Sequence, residues 1–262
     1  MAKLKENPLA AGTKFRLGAA KSRIMKKNPS PPGNLYTSGK YLEENPSWHA
    51  EHSWWKARHI LRLIKRHNLR AKTICEVGCG AGEILRELQA ALSDDTEFFG
   101  FEISPQAFAL CQSQANPRLH FHLEDITKID GVFFDLILLI DLLEHLEDPY
   151  SFLRNLKPKS HFKIIHFPLD LSVQAVWRVK PLLRMRRTVG HLHYFNKELA
   201  LLLLQDTGYE IVDLFYTPTM IDLQGKSWTS RFGRLPRQIL FRLHPDLAAR
   251  WLGGFSLMVL AK

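Results

Sequence analysis

The 262-residue chain lacks several features that would assign it to a common class of proteins. Its three cysteines are too few for a disulfide framework, so we expect a reducing compartment and a cytoplasmic location. It has no uninterrupted apolar run of the ~20 residues that a bilayer-crossing helix needs. The longest apolar stretch, FFDLILLIDLLEHL, contains acidic residues and reads as a buried strand that continues into a loop. We therefore expect a soluble chain or one bound peripherally to a membrane.

Acidic residues are scarce relative to basic ones. There are 26 Asp and Glu against 36 Lys and Arg, which gives a formal net charge of +10. This excess is compatible with an anionic substrate, an anionic membrane, nucleic acid or simple solubility. Residues 1–40 hold nine Lys and Arg against one Glu and no apolar core typical of a signal peptide. We interpret residues 1–35 as a disordered basic tail rather than a mitochondrial presequence, and residues 36–262 as the folded domain.

Apolar runs and amphipathic patterns alternate along the middle of the chain. The predicted strands cover residues 73–77, 96–104, 119–125, 132–140 and 161–168, and the predicted helices cover 53–69, 82–92, 104–115 and 149–158. This alternation predicts an α/β fold with a doubly wound, parallel sheet and helices on both faces. Beyond it we expect helical insertions at 169–190 and 217–252 on either side of the helix NKELALLLLQDTG and the strand YEIVDLFYT, and then a final strand, FSLMVLAK.

Three glycines at alternate positions follow the first predicted strand, in EVGCGAG, residues 76–82. In an open parallel sheet, ligands bind beyond the carboxyl ends of the strands, and glycine lets a ligand lie against bare backbone. A dinucleotide fingerprint would need a third glycine at position 83, where this chain has Glu83. A carboxylate there would repel a pyrophosphate. Together with Glu76, it favours a cationic adenosyl compound.

Acidic residues also end the next three predicted strands. Glu102 comes 20 residues after Gly82 and can accept both hydroxyl groups of an adenosine ribose. Asp125 ends the third strand, where it could hold the adenine amino group beside Ile126. Asp141 ends the fourth strand, with His145 four residues later. Each residue alone is weak evidence, but a glycine turn and acids after four successive strands predict one ligand site.

These motifs resemble those of the class I S-adenosylmethionine-dependent methyltransferases. EVGCGAG matches their first motif, E/D-x-G-x-G-x-G, FEIS the acid after the second strand, EDI the adenine-contacting step, and DLLEHLEDP the segment after the fourth strand. DLLEHLEDP and GHLHYFNKELALLLLQDTGYEI are similar in particular to the small-molecule methyltransferases related to ubiquinone biosynthesis. The resemblance covers about residues 70–216 and the terminal strand. It implies a Rossmann-like sheet of seven strands with an antiparallel last strand.

The resemblance also implies a cofactor, S-adenosylmethionine, and a reaction, methyl transfer (EC 2.1.1.-) to a small-molecule or lipid-like acceptor by O- or C-methylation. The implied cofactor site comprises Glu76, Gly78, Cys79, Gly80, Gly82, Glu102, Ile103, Asp125, Ile126, Asp141 and Leu142. His145 is the candidate base, against a structural role in its loop. Tyr41, His191 and His193 are candidate substrate residues. We expect no metal, because His191 and His193 have no evident third ligand.

Other functions stay open at this point. The segment 171–190 holds five Lys and Arg and no acid, interleaved with apolar residues that include Trp177, and Pro181 interrupts any single helix. It is typical of a membrane-interface segment or of a solvated cap over the pocket. An RNA-directed methyltransferase is an alternative, although the N/D-P-P-Y/F motif of base methylation is absent after the fourth strand. A non-catalytic cofactor-binding protein is another. The sequence does not fix the oligomeric state.

Overall fold

The long apolar runs form a single mixed sheet in the computed structural model, which describes residues 50–223 and 228–262. Its seven strands are β1 (Thr73–Val77), β2 (Glu97–Phe101), β3 (Leu119–His122), β4 (Phe134–Ile140), β5 (Ser160–Pro168), β6 (Ile211–Thr217) and β7 (Ser256–Ala261). Their order is β3-β2-β1-β4-β5-β7-β6, and β7 is antiparallel to both neighbours. This confirms the predicted doubly wound, Rossmann-like methyltransferase fold and its antiparallel last strand.

Helices cover the sheet on both sides. Within the described residues they are α1 (Ser53–Arg66), α2 (Glu83–Ala91), α3 (Pro105–Gln112), α4 (Pro149–Leu156), α5 (Val173–Arg178), α6 (Lys180–Thr188), α7 (Lys197–Asp206), α8 (Thr219–Asp222), α9 (Trp228–Leu243) and α10 (Pro245–Leu252). Ser104 caps α3, with Pro105 at its first turn, as predicted. None of these helices is long and apolar enough to cross a membrane.

Alternate residues of the central strands belong to two separate apolar clusters. On β4, Ile137 and Leu139 join one cluster with α4 and α7, whereas Leu136 and Leu138 join another with α1 and α2. Because side chains alternate across a strand, these clusters are the two faces of the sheet. The amphipathic α1 buries Trp55 fully but leaves its neighbour Trp54 half-exposed.

The sheet reverses its order between β1 and β4. From β1 the chain moves outward to β2 and β3, and it then returns to place β4 on the other side of β1. The carboxyl ends of β1 and β4 therefore flank the crevice in which ligands of such sheets bind.

The regions outside the sheet contain the helices of the two insertions. Residues 217–252, expected to be a helical insertion, contain α8, α9 and α10. The chain does break between α5 and α6, where Val179 has a φ of 56° just before Pro181, as the proline predicted. The predicted tail and Tyr41 lie outside the described residues.

Candidate functional site

The glycine turn joins β1 to α2 through backbone conformations that favour glycine. Gly78, Gly80 and Gly82 have φ values of 70°, 55° and 79°. The amides of Gly78 and Cys79 both donate to the carbonyl of Phe101, at 2.8 and 3.2 Å, which ties the turn to the end of β2. The turn therefore presents bare backbone at the crevice.

Protein neighbours also require glycine in this turn. A Cβ on Gly78 would lie 2.9 Å from Leu142 Cδ1, and a Cβ on Gly82 would lie 2.6 Å from the ring of Phe121. Both neighbours come from other strands or strand ends. Close packing of the turn against β3 and the loop after β4 thus explains two of the three glycines without any ligand.

Glu102 holds the turn and the end of β2 together. Its buried carboxylate accepts hydrogen bonds from the amides of Gly80 at 2.9 Å and of Ile103 and Ser104 at 2.8 Å each. Burial raises its pKa, and the three amide donors oppose that rise. A carboxylate offers about four acceptor positions, so roughly one stays available to a ligand hydroxyl.

Glu76 is the other carboxylate buried beside the glycine turn. It is 2 % exposed, and its Oε2 has no hydrogen-bond partner among the residues that the structure describes. Burial raises its pKa to about 8, while the charge of Lys56 acts in the opposite direction. An unsatisfied buried carboxylate is costly, so this oxygen is suited to a cationic or hydrogen-bond-donating ligand.

The predicted adenine-contacting residues are divided between the surface and the core. Asp125 accepts from the amide and hydroxyl of Thr127, at 3.0 and 2.6 Å, which lowers its pKa against the effect of burial. Ile126 is fully buried in the core, whereas Ile103 is 59 % exposed at the end of β2. In this arrangement Ile103, rather than Ile126, offers an apolar surface to a planar ring.

Asp141 lies in a network that the sequence did not reveal. Its φ is 51°, and its two carboxylate oxygens meet Lys56 Nζ at 2.7 Å and His166 Nδ1 at 2.5 Å. These partners hold the pKa of Asp141 well below its usual range despite burial. His166 reaches Thr217 Oγ1 at 2.8 Å. His166 lies near the carboxyl end of β5, where strand ends predict a site residue, but Lys56 on α1 carried no such signal.

A second polar cluster follows β4, at the 3₁₀ turn Leu143–His145. Glu144 has no measurable exposure, and neither of its oxygens has a hydrogen-bond partner within residues 50–223 and 228–262. Burial raises its pKa well above the usual value. The rings of His145 and His191 are 4.9 Å apart, and Asp170 Oδ2 binds His191 Nδ1 at 2.6 Å. Ligand atoms of Glu144, His145 and His191 lie within 4.8 Å of one another and could hold a metal ion.

The remaining predicted residues are placed as follows. Cys79 is buried against Cys111, and both are free thiols. The ring of His193 stacks beside Phe195, at a centroid distance of 6.4 Å. Within the described residues, His193 does not join a group of possible metal ligands, whereas His191 lies beside Glu144 and His145, which come from a loop almost fifty residues earlier. The expectation that the chain binds no metal stays a prediction.

The fold and this strand-end site define a class I, Rossmann-like methyltransferase architecture. The methyltransferase domain family matches residues 48–214, more than half of the chain. The chain belongs to that family. No curated protein matches it.

Solved structures with the same fold are distant in sequence. Magnesium protoporphyrin IX methyltransferase ChlM from Synechocystis PCC 6803, with bound S-adenosylhomocysteine, is 14% identical with a TM-score of 0.56 over 88% of this chain and 96% of that one. The N-methyltransferase NodS from Bradyrhizobium japonicum WM9, with the same ligand, is 16% identical with a TM-score of 0.50 over 79% and 84%. The [4+2]-cyclase SpnF is 16% identical with a TM-score of 0.53 over 78% and 79%.

Proposed function

We propose that the chain binds S-adenosylmethionine at the glycine turn and transfers its methyl group to a small-molecule or lipid-like acceptor. The observation that carries this proposal is the succession of three left-handed glycines beside the buried carboxylates Glu76 and Glu102. When bound, the cofactor supplies an electrophilic methyl group. The chain's own residues bind it, orient it and keep water away. The S-adenosylhomocysteine in ChlM and NodS supports this ligand class.

The residues around the turn fit an adenosyl cation. The unpartnered Oε2 of Glu76 would gain a positive group, and Glu102 retains room for a ribose hydroxyl. Each oxygen of Asp141 already pairs with a side chain, Lys56 or His166, so we assign it the role of fixing the backbone at the end of β4. Leu142, the next residue, then lies against Gly78.

His145 is the proposed proton acceptor for a hydroxyl or carbon-acid acceptor. It follows β4 directly, and its Nε2 is 3.8 Å from Glu144 Oε1. A nearby carboxylate, when ionised, favours a protonated imidazole. The same nitrogen could instead bind a metal ion. O- and C-methylation both remain within this proposal.

Calorimetry with S-adenosylhomocysteine tests the binding half of the proposal. Gly78→Ala and Gly131→Ala are a matched pair, since both glycines have φ near +70° but only the first meets a neighbour. We expect at least tenfold weaker binding for Gly78→Ala, because the new methyl group displaces Leu142. Gly131→Ala should bind like the native chain. Equal affinities in all three proteins, or no binding to any, would contradict the proposed site.

Radiolabelled S-adenosylmethionine tests the transfer half. After incubation with fractionated extract, we expect label in the small-molecule or lipid pool. Label in RNA would support the RNA-directed alternative. Cofactor binding without any label transfer would support a non-catalytic role or another chemistry on this fold, as the cyclase SpnF illustrates for its own chain.

A basic cap provides a route for a lipid-like acceptor. We use this name for residues 173–188, which comprise α5 and α6, together with α10 and the part of α9 from residue 234 onward. It exposes many apolar side chains, namely Val173, Val176, Trp177, Val179, Leu183, Leu235, Ile239, Leu243, Leu247 and Trp251. Helix α10 packs against both α5 and α9. Arg237 on α9 donates to the carbonyls of Leu252 and Gly253 at the end of α10.

The charge of the cap points to an anionic bilayer as the partner. Residues 171–190 contain no acid, and the single acid in residues 234–252 is Asp246. Its carboxylate already accepts from Lys197 and Tyr216. Arg250 of α10 pairs with Glu198 outside the cap. Exposed tryptophan and aliphatic side chains among Arg and Lys, with few acids, are the pattern of an interfacial membrane segment, where each basic residue contributes about 1 kcal/mol near an anionic surface.

Vesicle flotation separates this proposal from a solvated cap. We expect the native chain to float with vesicles of phosphatidylcholine and phosphatidylserine, and not with phosphatidylcholine alone. A variant with Trp177→Ser, Arg184→Gln and Arg187→Gln should lose most of that binding. Trp54→Ser is the control, because Trp54 is also half-exposed but lies on α1. Equal flotation of native and triple-variant chains would remove the membrane proposal.

A further inference from the structure

We propose that Glu144, His145 and His191 form a binding site for a first-row divalent cation of the zinc type, beside the methyl-transfer crevice. The three side chains supply one carboxylate and two imidazoles, and their ligand atoms lie within 4.8 Å of one another. Two imidazoles with one carboxylate form a three-ligand site that leaves a position open for water or substrate. The site goes beyond the proposed methyl transfer and does not depend on it.

The buried carboxylate is the strongest observation for this site. Glu144 has no exposed surface, and neither of its oxygens accepts a hydrogen bond in the part of the chain that the structure describes. Its Oε1 faces His145 Nε2 at 3.8 Å. Buried polar groups normally have partners, and an isolated buried carboxylate is strongly disfavoured. A cation between Glu144 and the two imidazoles would satisfy it.

The second imidazole is oriented as metal ligands commonly are. Asp170 Oδ2 binds His191 Nδ1 at 2.6 Å, which leaves Nε2 as the nitrogen available for a metal. A carboxylate behind a histidine fixes the tautomer and the direction of the ring in many metal sites. His191 is 4 % exposed, so it has little freedom to turn away.

Backbone hydrogen bonds bring the two halves of the site together. The carbonyl of Glu144 accepts from the amides of Leu192 and His193, at 2.7 and 3.1 Å. These contacts place His191 beside a loop that lies far away in sequence. Ligands at about 2 Å from a tetrahedral ion are roughly 3.3 Å apart, so the three ligand atoms would draw together by about an ångström on binding.

A bound cation would change the chemistry assigned to His145. A nitrogen that coordinates the ion cannot accept a proton, so His145 would be a ligand and not the base. The ion itself lowers the pKa of a coordinated hydroxyl group, whose proton can then leave to water. The cluster follows Leu142 by one turn, and Leu142 borders the glycine turn, so such a hydroxyl would lie next to the crevice.

Metal titration of the untagged, chelator-treated full chain tests this site without any methyl-transfer assay. With Co²⁺ as a spectroscopic probe, we expect one bound ion with the intense visible absorption of a four- or five-coordinate site, displaced by Zn²⁺ but not by Mg²⁺. Only a weak octahedral spectrum like that of the aqueous ion would overturn the proposal.

Three variants test whether the metal ion binds at this cluster or at another histidine. Glu144→Gln preserves shape but removes the charged ligand, and it should weaken Zn²⁺ binding at least tenfold. Asp170→Asn touches no metal, and it should weaken binding by about 10–100-fold. His161→Ala removes an exposed histidine on β5 and should change the affinity less than twofold. Native-like affinity in Glu144→Gln would overturn the proposal.

The same samples also serve to check that each variant is folded and binds the cofactor product. Circular dichroism and S-adenosylhomocysteine calorimetry show whether each variant is folded, whatever its metal affinity. If a variant fails to fold, the Tm of the native chain with and without Co²⁺ still tests the site, because a cation that binds the folded state raises its Tm. Absence of a Tm rise with Co²⁺ would contradict the site. Loss of methyl transfer with intact Co²⁺ binding would contradict only the proposed function.

Discussion

The carboxyl edge of the sheet and the basic cap are both rich in ionisable residues, but these residues are buried at the edge and exposed in the cap. At the edge, Glu76, Glu102 and Glu144 are at most 6 % exposed. In the cap, α6 buries no residue, and Trp177 is 87 % exposed on the neighbouring helix. A buried charge depends strongly on each partner, whereas an exposed charge is screened by solvent. Substitutions at the edge should therefore alter stability, and substitutions in the cap should alter mainly association.

The largest expected effect is the loss of Lys56. Its Nζ binds the Asp141 carboxylate at 2.7 Å, and both side chains are less than one-third exposed. Lys56→Met leaves part of the Asp141 charge unopposed and should lower the free energy of unfolding by about 3 kcal/mol. Urea unfolding measures the change. Lys65→Met, at an exposed position of the same helix, should cost little. Equal losses of unfolding free energy in the two variants would contradict the difference between buried and exposed charges.

The next effect depends on pH and concerns Glu76. Its folded-state pKa, about 8, lies above the ordinary value of 4.5, so the folded chain keeps a proton that the unfolded chain releases. Stability from this group is present below pH 4.5 and is lost as the pH rises through 8. Relative to Glu76→Gln, the native chain should lose free energy of unfolding as the pH rises from 5 toward 8 and should level off above that. Urea unfolding of both proteins across that range measures it, and a constant difference would refute the assignment.

A smaller effect is expected at Glu102. Glu102→Gln replaces one carboxylate oxygen with an amide donor, so at least one of the three backbone amides loses its acceptor. The cost should be about 1–2 kcal/mol in unfolding free energy. Gln106→Glu, nearby on α3, is the matched control because it changes charge without removing those bonds. If Glu102→Gln were neutral, the carboxylate would not be what holds the turn.

The smallest effect belongs to the cap. Trp177→Ser removes an aromatic side chain that is almost fully exposed, and it should change the free energy of unfolding by less than about 0.5 kcal/mol. The same variant should nevertheless partition less well onto anionic vesicles. A loss of 2 kcal/mol or more in urea unfolding would show that the cap is part of the folded core, and the contrast between the two regions would fail.

Much of the fold was predictable because the sequence signals are local. The strand 73–77 was placed at its observed bounds, since TICEV is a short apolar run that ends at a glycine. The helices began and ended within a few residues of their predicted limits, with Ser104 identified as a cap. The region 217–252 was predicted as a helical insertion, but its helix limits were not, and α9 continues through Pro236.

The site was only partly predictable, because its polar partners come from distant segments. The glycine turn and the acids at strand ends followed from spacing and topology. Lys56 and His166 were missed as partners of Asp141, since neither pairing has a sequence pattern. The link between His191 and the loop after β4 was missed for the same reason. The roles of the predicted cofactor and substrate residues stay predictions.

The amino-acid sequence by itself determined the alternation of strands and helices, the left-handed turn of EVGCGAG and the family to which the chain belongs. These are properties of neighbouring residues, fixed by apolar periodicity and by the conformational freedom of glycine. The tertiary structure alone decided which buried charges meet. Asp141 lies against Lys56 and His166, and Glu144 lies against two histidines, because sheet order and two backbone hydrogen bonds bring separate segments to one edge.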